Sequence, residues 1–200
     1  MIMEIRIPGY RLHDYQLVIM PNETFRQRVM HVRKEFAEKF GLEKPFAGGA
    51  HLPLLKFSQV EMMEAKVINA LKGIAMGIQP FRVEVKDYGS YPTHSVYLNT
   101  TTRSPLLELV KQLKQAGRLL KSQSGEPVFL NDFNFTIANK LLPYQYEKGW
   151  ADLKHRSFNA RFMVDGLLLL KRTAQAGKFS VVEHFQCLDL PVLTRQGALF

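Results

Sequence analysis

The chain predicts an α+β fold, two pseudo-symmetric lobes of sheet and helix flanking a central cleft. Three observations carry this. Hydrophobic spacing switches between the helical and the strand period, giving the order β-α-β-α-β-β and then α-β-α-β-β. A strand–helix–strand unit recurs at similar length, 30 residues from His51 to Phe81 and 28 from Asn134 to Phe162, ending on Phe81-Arg82-Val83 and Phe162-Met163-Val164. Finally, the strand around Phe133 to Ala138 is apolar on one face (Phe133, Phe135, Ile137) and polar on the other (Asp132, Asn134, Thr136). Such a strand lines a polar cleft while its back builds a core.

The elements follow in order. Tyr15 to Met20 is β-prone and is stopped by Pro21 and Asn22, the latter a helix N-cap. Phe25, Val29, Val32, Phe36 and Phe40 form one face of a helix that Gly41 ends. Gly48 and Gly49 introduce a strand from His51 to Phe57, and Ser58-Gln59-Val60-Glu61 reads as the capping box of a helix carrying Met63, Val67, Leu71 and Ile74. Phe81, Val83 and Val85 alternate with charges, and a turn at Gly89–Pro92 leads to a strand from His94 to Asn99. A third helix starts at Ser104-Pro105 with Leu106, Leu109, Leu113 and Leu120 inward, leaving Lys111, Lys114, Arg118 and Lys121 as a solvated face. A helix from Pro143 to His155 follows, turning Tyr146, Trp150 and Leu153 inward. Two strands come next, Ala160 to Lys171 and Phe179 to Leu188, split by a turn at Gln175–Lys178. Residues 189–200 read as a tail of a single 200-residue unit.

Composition narrows the function. Lys and Arg number 27 against 18 Asp and Glu, a net charge of +9 that attracts anions such as nucleic acid or nucleotides. The charges are scattered, so a groove is expected rather than a basic arm. Cys187 is the single cysteine, which excludes an intrachain disulfide and a cysteine zinc cluster. No apolar run has the length of a signal peptide or a membrane span, so a cytoplasmic protein is expected. The histidines His13, His31, His155 and His184 lack metal-ligand spacing, and neither a metal nor a cofactor is expected. There is no P-loop, dinucleotide fingerprint or nucleophile elbow.

The segments His51-Leu52-Pro53 and Asn134-Phe135-Thr136 hold equivalent places in the two units. They resemble the paired His-x-Thr/Ser motifs of the 2H phosphoesterases, which include 2'-5' RNA ligases and cyclic nucleotide phosphodiesterases. Tyr15–Pro21, Phe81-Arg82-Val83 up to Tyr91-Pro92, Val96-Tyr97-Leu98, Thr136–Lys140 and Leu167 to Arg172 resemble that family's surrounding strands, over roughly residues 12 to 188. The resemblance implies two ferredoxin-like lobes with antiparallel sheets. It implies action on 2',3'-cyclic phosphates or 2'-5' linkages, one histidine activating water or a hydroxyl and the other protonating the leaving oxygen. Hydroxyls at the third positions then bind phosphate. Here each motif keeps one half. His51 retains the imidazole, which titrates near neutral pH. Thr136 retains the hydroxyl that donates to phosphate. Asn134 binds an oxyanion but moves no proton, and Pro53 has neither hydroxyl nor N–H. The expected site is therefore His51 as the catalytic group, with Thr136, Asn134, Lys56 and Lys140 on the phosphate. Lys171 and Arg172 add positive potential, Tyr10 and Arg11 stand at the rim, and His94 is a replacement imidazole. The expected partner is RNA or a nucleotide phosphodiester. The alternatives are a non-catalytic nucleotide binder in the same cleft, and a fold reused for protein binding.

Overall fold

A computed structural model describes residues 10–173 and 177–191. The elements run β1 (Leu12–Ile19), α1 (Glu23–Lys39), β2 (Leu52–Val60), α2 (Glu64–Met76), β3 (Phe81–Tyr91) and β4 (Ser95–Thr100). Then come α3 (Ser104–Leu113), α4 (Gly117–Leu120), β5 (Val128–Phe129), β6 (Phe135–Ala138), α5 (Pro143–Leu153), β7 (Asn159–Val164), β8 (Gly166–Thr173) and β9 (Ser180–Gln186). Two antiparallel sheets result, one ordered β5-β2-β1-β8-β9 and the other β6-β4-β3-β7. They flank a central cleft, as the alternation predicts.

Each sheet draws on both halves of the chain. The two units exchange strands between the lobes: their closing strands β3 and β7 pair with each other, Val83 opposite Phe162. The predicted strand from Ala160 to Lys171 is two strands, β7 and β8, which change sheet at Asp165. Its apolar residues run on because both pieces are half-buried strands, and one polar residue marks the crossing. The helices cross over too. Helix α1 joins β1 to β2 of the first sheet but packs on β6 and β7 of the second. Helix α3 leaves β4 of the second sheet and packs on α2, which backs β9 of the first.

Local sequence explains the element ends. The Asn22 side chain accepts from the Phe25 N–H at 2.9 Å, capping α1, and Gly41 beyond its end takes φ +64°. The predicted capping box at Ser58 does not form. Ser58, Gln59 and Val60 extend β2, the Ser58 hydroxyl donates to Asp14 at 2.7 Å, and a 3-10 turn (Glu61–Met63) precedes α2. Pairing with Leu12, His13 and Asp14 of β1 outweighs the local cap signal there. The predicted turn at Gln175–Lys178 falls partly on residues 174–176, and most of the predicted tail on 192–200, outside the described residues. Just before the latter, Asp189 and Leu190 donate to the carbonyls of Ile78 and Met76.

One continuous apolar core fills the space behind both sheets. Tyr15 stacks on Phe57 at 5.0 Å, while Phe25, Phe135 and Phe162 meet between α1 and the second sheet, with Phe25 4.8 Å from Phe135. Phe135→Ala is expected to cost about 3–5 kcal/mol, since no neighbour on this rigid sheet collapses into the space. Chemical denaturation checks this, and a loss under about 1 kcal/mol would show that α1 repacks. No helix of the described residues is long and apolar enough to cross a membrane.

Candidate functional site

The two motifs lie at matching breaks in strand register. In β2, Leu55 pairs with Leu17 and Pro53 with Val18, so Leu54 is an extra residue directly after the first motif. In β6, Thr136 pairs with Tyr97 and Ala138 with Val96, so Ile137 is an extra residue directly after the second. Both are β-bulges. The first reverses the alternation of β2. His51 and Pro53 before it, and Lys56 and Ser58 after it, therefore share one face with Asp14, Gln16 and Val18 of β1.

Arg33 of α1 ties the motifs together. It is 4% exposed, and its Nε donates to the Thr136 carbonyl at 2.9 Å. Its Nη1 donates to the Gly48 carbonyl at 2.5 Å and Nη2 to Gly49 at 3.5 Å. The guanidinium also lies over Phe46, 4.9 Å from the ring centre. One buried cation thus holds the loop before His51 against the strand carrying Thr136. Burial pushes the Arg33 pKa down to about 10, which leaves it charged at neutral pH. No carboxylate pairs with it among the described residues, so its charge acts on the surroundings.

His51 feels that charge. Burial, then Arg33, then Lys56 hold its pKa below the ordinary histidine value. The imidazole is therefore neutral at pH 7 and able to take a proton. Gly49 is required beside it, because a Cβ there would sit 2.2 Å from His51 Nδ1. Gly49→Ala is expected to displace the ring and lower any His51-dependent rate about tenfold or more, read from initial rates. An unchanged rate would show that the ring has room to turn.

Asn134 precedes β6 by one residue and is turned to its neighbours. Its amide donates to Asp132 at 2.6 Å and to the Tyr91 hydroxyl at 3.2 Å. Tyr91 in turn donates to Asp132, closing a triangle. The Asn134 oxygen accepts from the Thr100 N–H at 3.5 Å. Burial and the Asp132 hydrogen bond push the Tyr91 pKa up, so the phenol stays protonated. Tyr91 also packs on Tyr97 at 4.8 Å, and a Cβ on Gly89 would meet the Tyr97 ring at 2.3 Å. The Thr136 hydroxyl, by contrast, has no hydrogen-bond partner among the described residues.

The remaining candidates separate. Lys56 is exposed and acts on His51. Lys140 lies in the turn after β6 at φ +53°, exposed, and is not among the charges that act on His51. Lys171 pairs with Glu64 at 2.6 Å and Arg172 with Asp14 at 3.3 Å. His94 is exposed, stacks 6.2 Å from Tyr91, and has Nδ1 3.0 Å from the Pro92 carbonyl. Tyr10 and Arg11 are exposed. No group of three or more His, Cys, Asp or Glu able to hold a metal occurs among the described residues. Arg33, Asp132 and Tyr91 escaped the sequence reading. Arg33 left a signal as a charge beside the apolar stripe of α1, and Asp132 left one on the polar face of its segment.

Comparison with known proteins agrees with this fold. The sequence profile of the 2'-5' RNA ligase superfamily matches residues 21–176. No curated protein matches the chain in sequence. Among solved structures, E. coli LigT complexed with 3'-AMP is similar at TM-score 0.63 and 17% identity, covering 88% of this chain and 98% of that one. E. coli LigT complexed with NADP+ gives 0.61 at 18% identity, covering 90% and 98%. TT0787 of Thermus thermophilus gives 0.53 at 17%, covering 89% and 98%. With the profile spanning both motifs and the fold shared over nearly the whole length of these structures, the chain belongs to the 2'-5' RNA ligase superfamily of LigT-like 2H phosphoesterases.

Proposed function

We propose that the cleft binds a nucleotide or RNA phosphodiester, a 2',3'-cyclic phosphate or a 2'-5' linkage, and that His51 is its one proton-transfer group. The Thr136 hydroxyl donates to the phosphate, while the Lys56 and Arg33 charges stabilise its oxygens. The hydrogen bonds of Arg33 to the loop before His51 and to the Thr136 carbonyl carry this reading, because they hold the two segments against each other. The E. coli LigT structures hold 3'-AMP and NADP+, both phosphates on a nucleoside, which supports the same ligand class here.

The chemistry follows from the protonation state. A neutral His51 takes a proton from water or a hydroxyl as it attacks phosphorus. Asn134 returns none, so the leaving oxygen takes its proton from solvent water. Turnover of 2',3'-cyclic AMP is therefore expected to be slow, and absent in His51→Ala. With its pKa held below the usual value, His51 stays basic as pH falls to about 6.5, and the rate declines only beneath that. A rate that halves near about pH 7 would contradict the assignment. One observation favours binding without turnover, namely that Asn134 is locked by Asp132 and Tyr91. Retained calorimetric binding of 2',3'-cyclic AMP, with no product at high protein concentration, would select that second reading. Loss of both binding and turnover sinks the first as well.

A further inference from the structure

Beyond the motif residues, the same face of the first sheet carries a cavity of about 420 Å³. Gln16, Lys56, Ser58, Arg172, Phe179 and the loop at Ser124–Glu126 line it, and neither His51, Asn134 nor Thr136 does. Most of its polar groups are already paired. Asp14 takes Arg172 and the Ser58 hydroxyl, and Glu126 pairs with Lys121. Gln16 differs. It lies on β1 opposite Lys56, is only 8% exposed, and its carboxamide has no partner among the described residues. Solvent in the cavity reaches its amide, so the donor and the acceptor are both free to bind a ligand. Beside it the Arg172 guanidinium lies over the Phe179 ring, 4.8 Å from its centre, a stack whose outer face is planar.

We propose that this cavity is a nucleobase subsite, in which the Gln16 carboxamide reads the N7 and N6 edge of an adenine while Arg172 and Phe179 cover its face. A carboxamide offers one donor and one acceptor side by side. Adenine presents the matching acceptor and donor on N7 and N6, whereas guanine presents two acceptors on the same edge. Aromatic and guanidinium planes supply stacking that any base accepts. The spacing suits one ligand. Ile19 pairs with Leu52, so His51 lies level with Met20, four residues along β1 from Gln16. That is roughly 13 Å at about 3.3 Å per residue, the reach of one extended nucleotide with its phosphate at His51. The inference rests on the reading that the cleft takes nucleotides, and it adds a base preference to it.

Calorimetric titration with 2',3'-cyclic AMP and 2',3'-cyclic GMP tests it, since the two purines stack alike. The wild-type chain is expected to favour the adenine ligand about tenfold, and Gln16→Leu to bring the two within about twofold. Gln16→Leu is expected to bind inorganic phosphate as the wild type does. Phe179 is a partly exposed residue outside the strands, so Phe179→Ala keeps the sheet intact if Gln16→Leu does not fold. That variant is expected to weaken both cyclic nucleotides about equally. Adenosine alone should shift the side-chain amide resonances of Gln16. A base preference unchanged in Gln16→Leu, or resonances unmoved by adenosine, overturns the subsite. If phosphate and cyclic phosphates fail to bind while adenosine still engages Gln16, the phosphodiester reading falls and the base subsite stands.

Discussion

Turnover of 2',3'-cyclic AMP is expected to rise by about 10²–10⁴-fold when Asn134→His and Pro53→Thr are combined. The size of the gain follows from what each change restores. An imidazole at position 134 supplies the missing acid. Its orientation is already provided, because Asp132 lies 2.6 Å from the Asn134 amide and accepts a hydrogen bond there. A carboxylate so placed fixes the tautomer and raises the imidazole pKa, which favours the protonated form that donates. At position 53, threonine adds a second hydroxyl for the phosphate. Pro53 sits beside the Leu54 bulge, on the cleft face of β2, opposite Val18. A strand tolerates either residue at such a place. Asn134→His alone should deliver most of the gain. Initial rates against His51→Ala in the same background provide the measurement. A double variant that melts like the parent yet gains less than about threefold would mean that the two strands are not disposed for in-line proton transfer.

Arg33→Met is expected to cost about 3–5 kcal/mol of stability. The loss leaves the carbonyls of Gly48, Gly49 and Thr136 without their donor. Each buried group left unpaired costs about 1–3 kcal/mol, offset in part by methionine filling the volume. In a chain of this size the midpoint should fall by roughly 10 °C. Arg33→Lys should recover little, since an ammonium lacks the planar fork that spans two segments. A loss below about 1 kcal/mol in urea denaturation would show that the loop before His51 holds its place unaided. The same variant removes a cation that depresses His51, so the imidazole pKa, followed by NMR, should move upward.

The faces of the elements were legible in the sequence because burial is periodic. Phe25, Val29 and Phe36 on α1, and Leu106, Leu109 and Leu113 on α3, are all buried as their spacing implies. Motif positions were legible for a related reason, since a strand with Phe135 and Ile137 behind must turn Thr136 the other way. The pairing of strands was not. Asp165 is the one break in the run from Ala160 to Lys171, and it does not tell a bent strand from two strands in different sheets, because alternation reports a face and not a partner. Arg33 was hidden by the same limit. An arginine next to an apolar stripe is usually solvated, and only the approach of Gly48 and Thr136 from distant parts of the chain makes it a buried donor. Asp132 stood on the polar face of its strand, but its bonds to Asn134 and Tyr91 depend on a hairpin folded from elsewhere.

The bulge after each motif makes this cleft intolerant of insertions within the motif strands. His51 and Lys56 are separated by an odd number of positions, and an uninterrupted strand would send them to opposite sides. Inserting one residue between His51 and Lys56, with the single bulge kept, would rotate one half of β2 against the other. Either the imidazole or the lysine would then enter the core, and the chain would lose the cleft while keeping every residue of it. Insertions in the loops at either end carry no such penalty. Length variation is therefore expected to collect in those loops and to spare the short stretches from His51 to Lys56 and from Asn134 to Ala138.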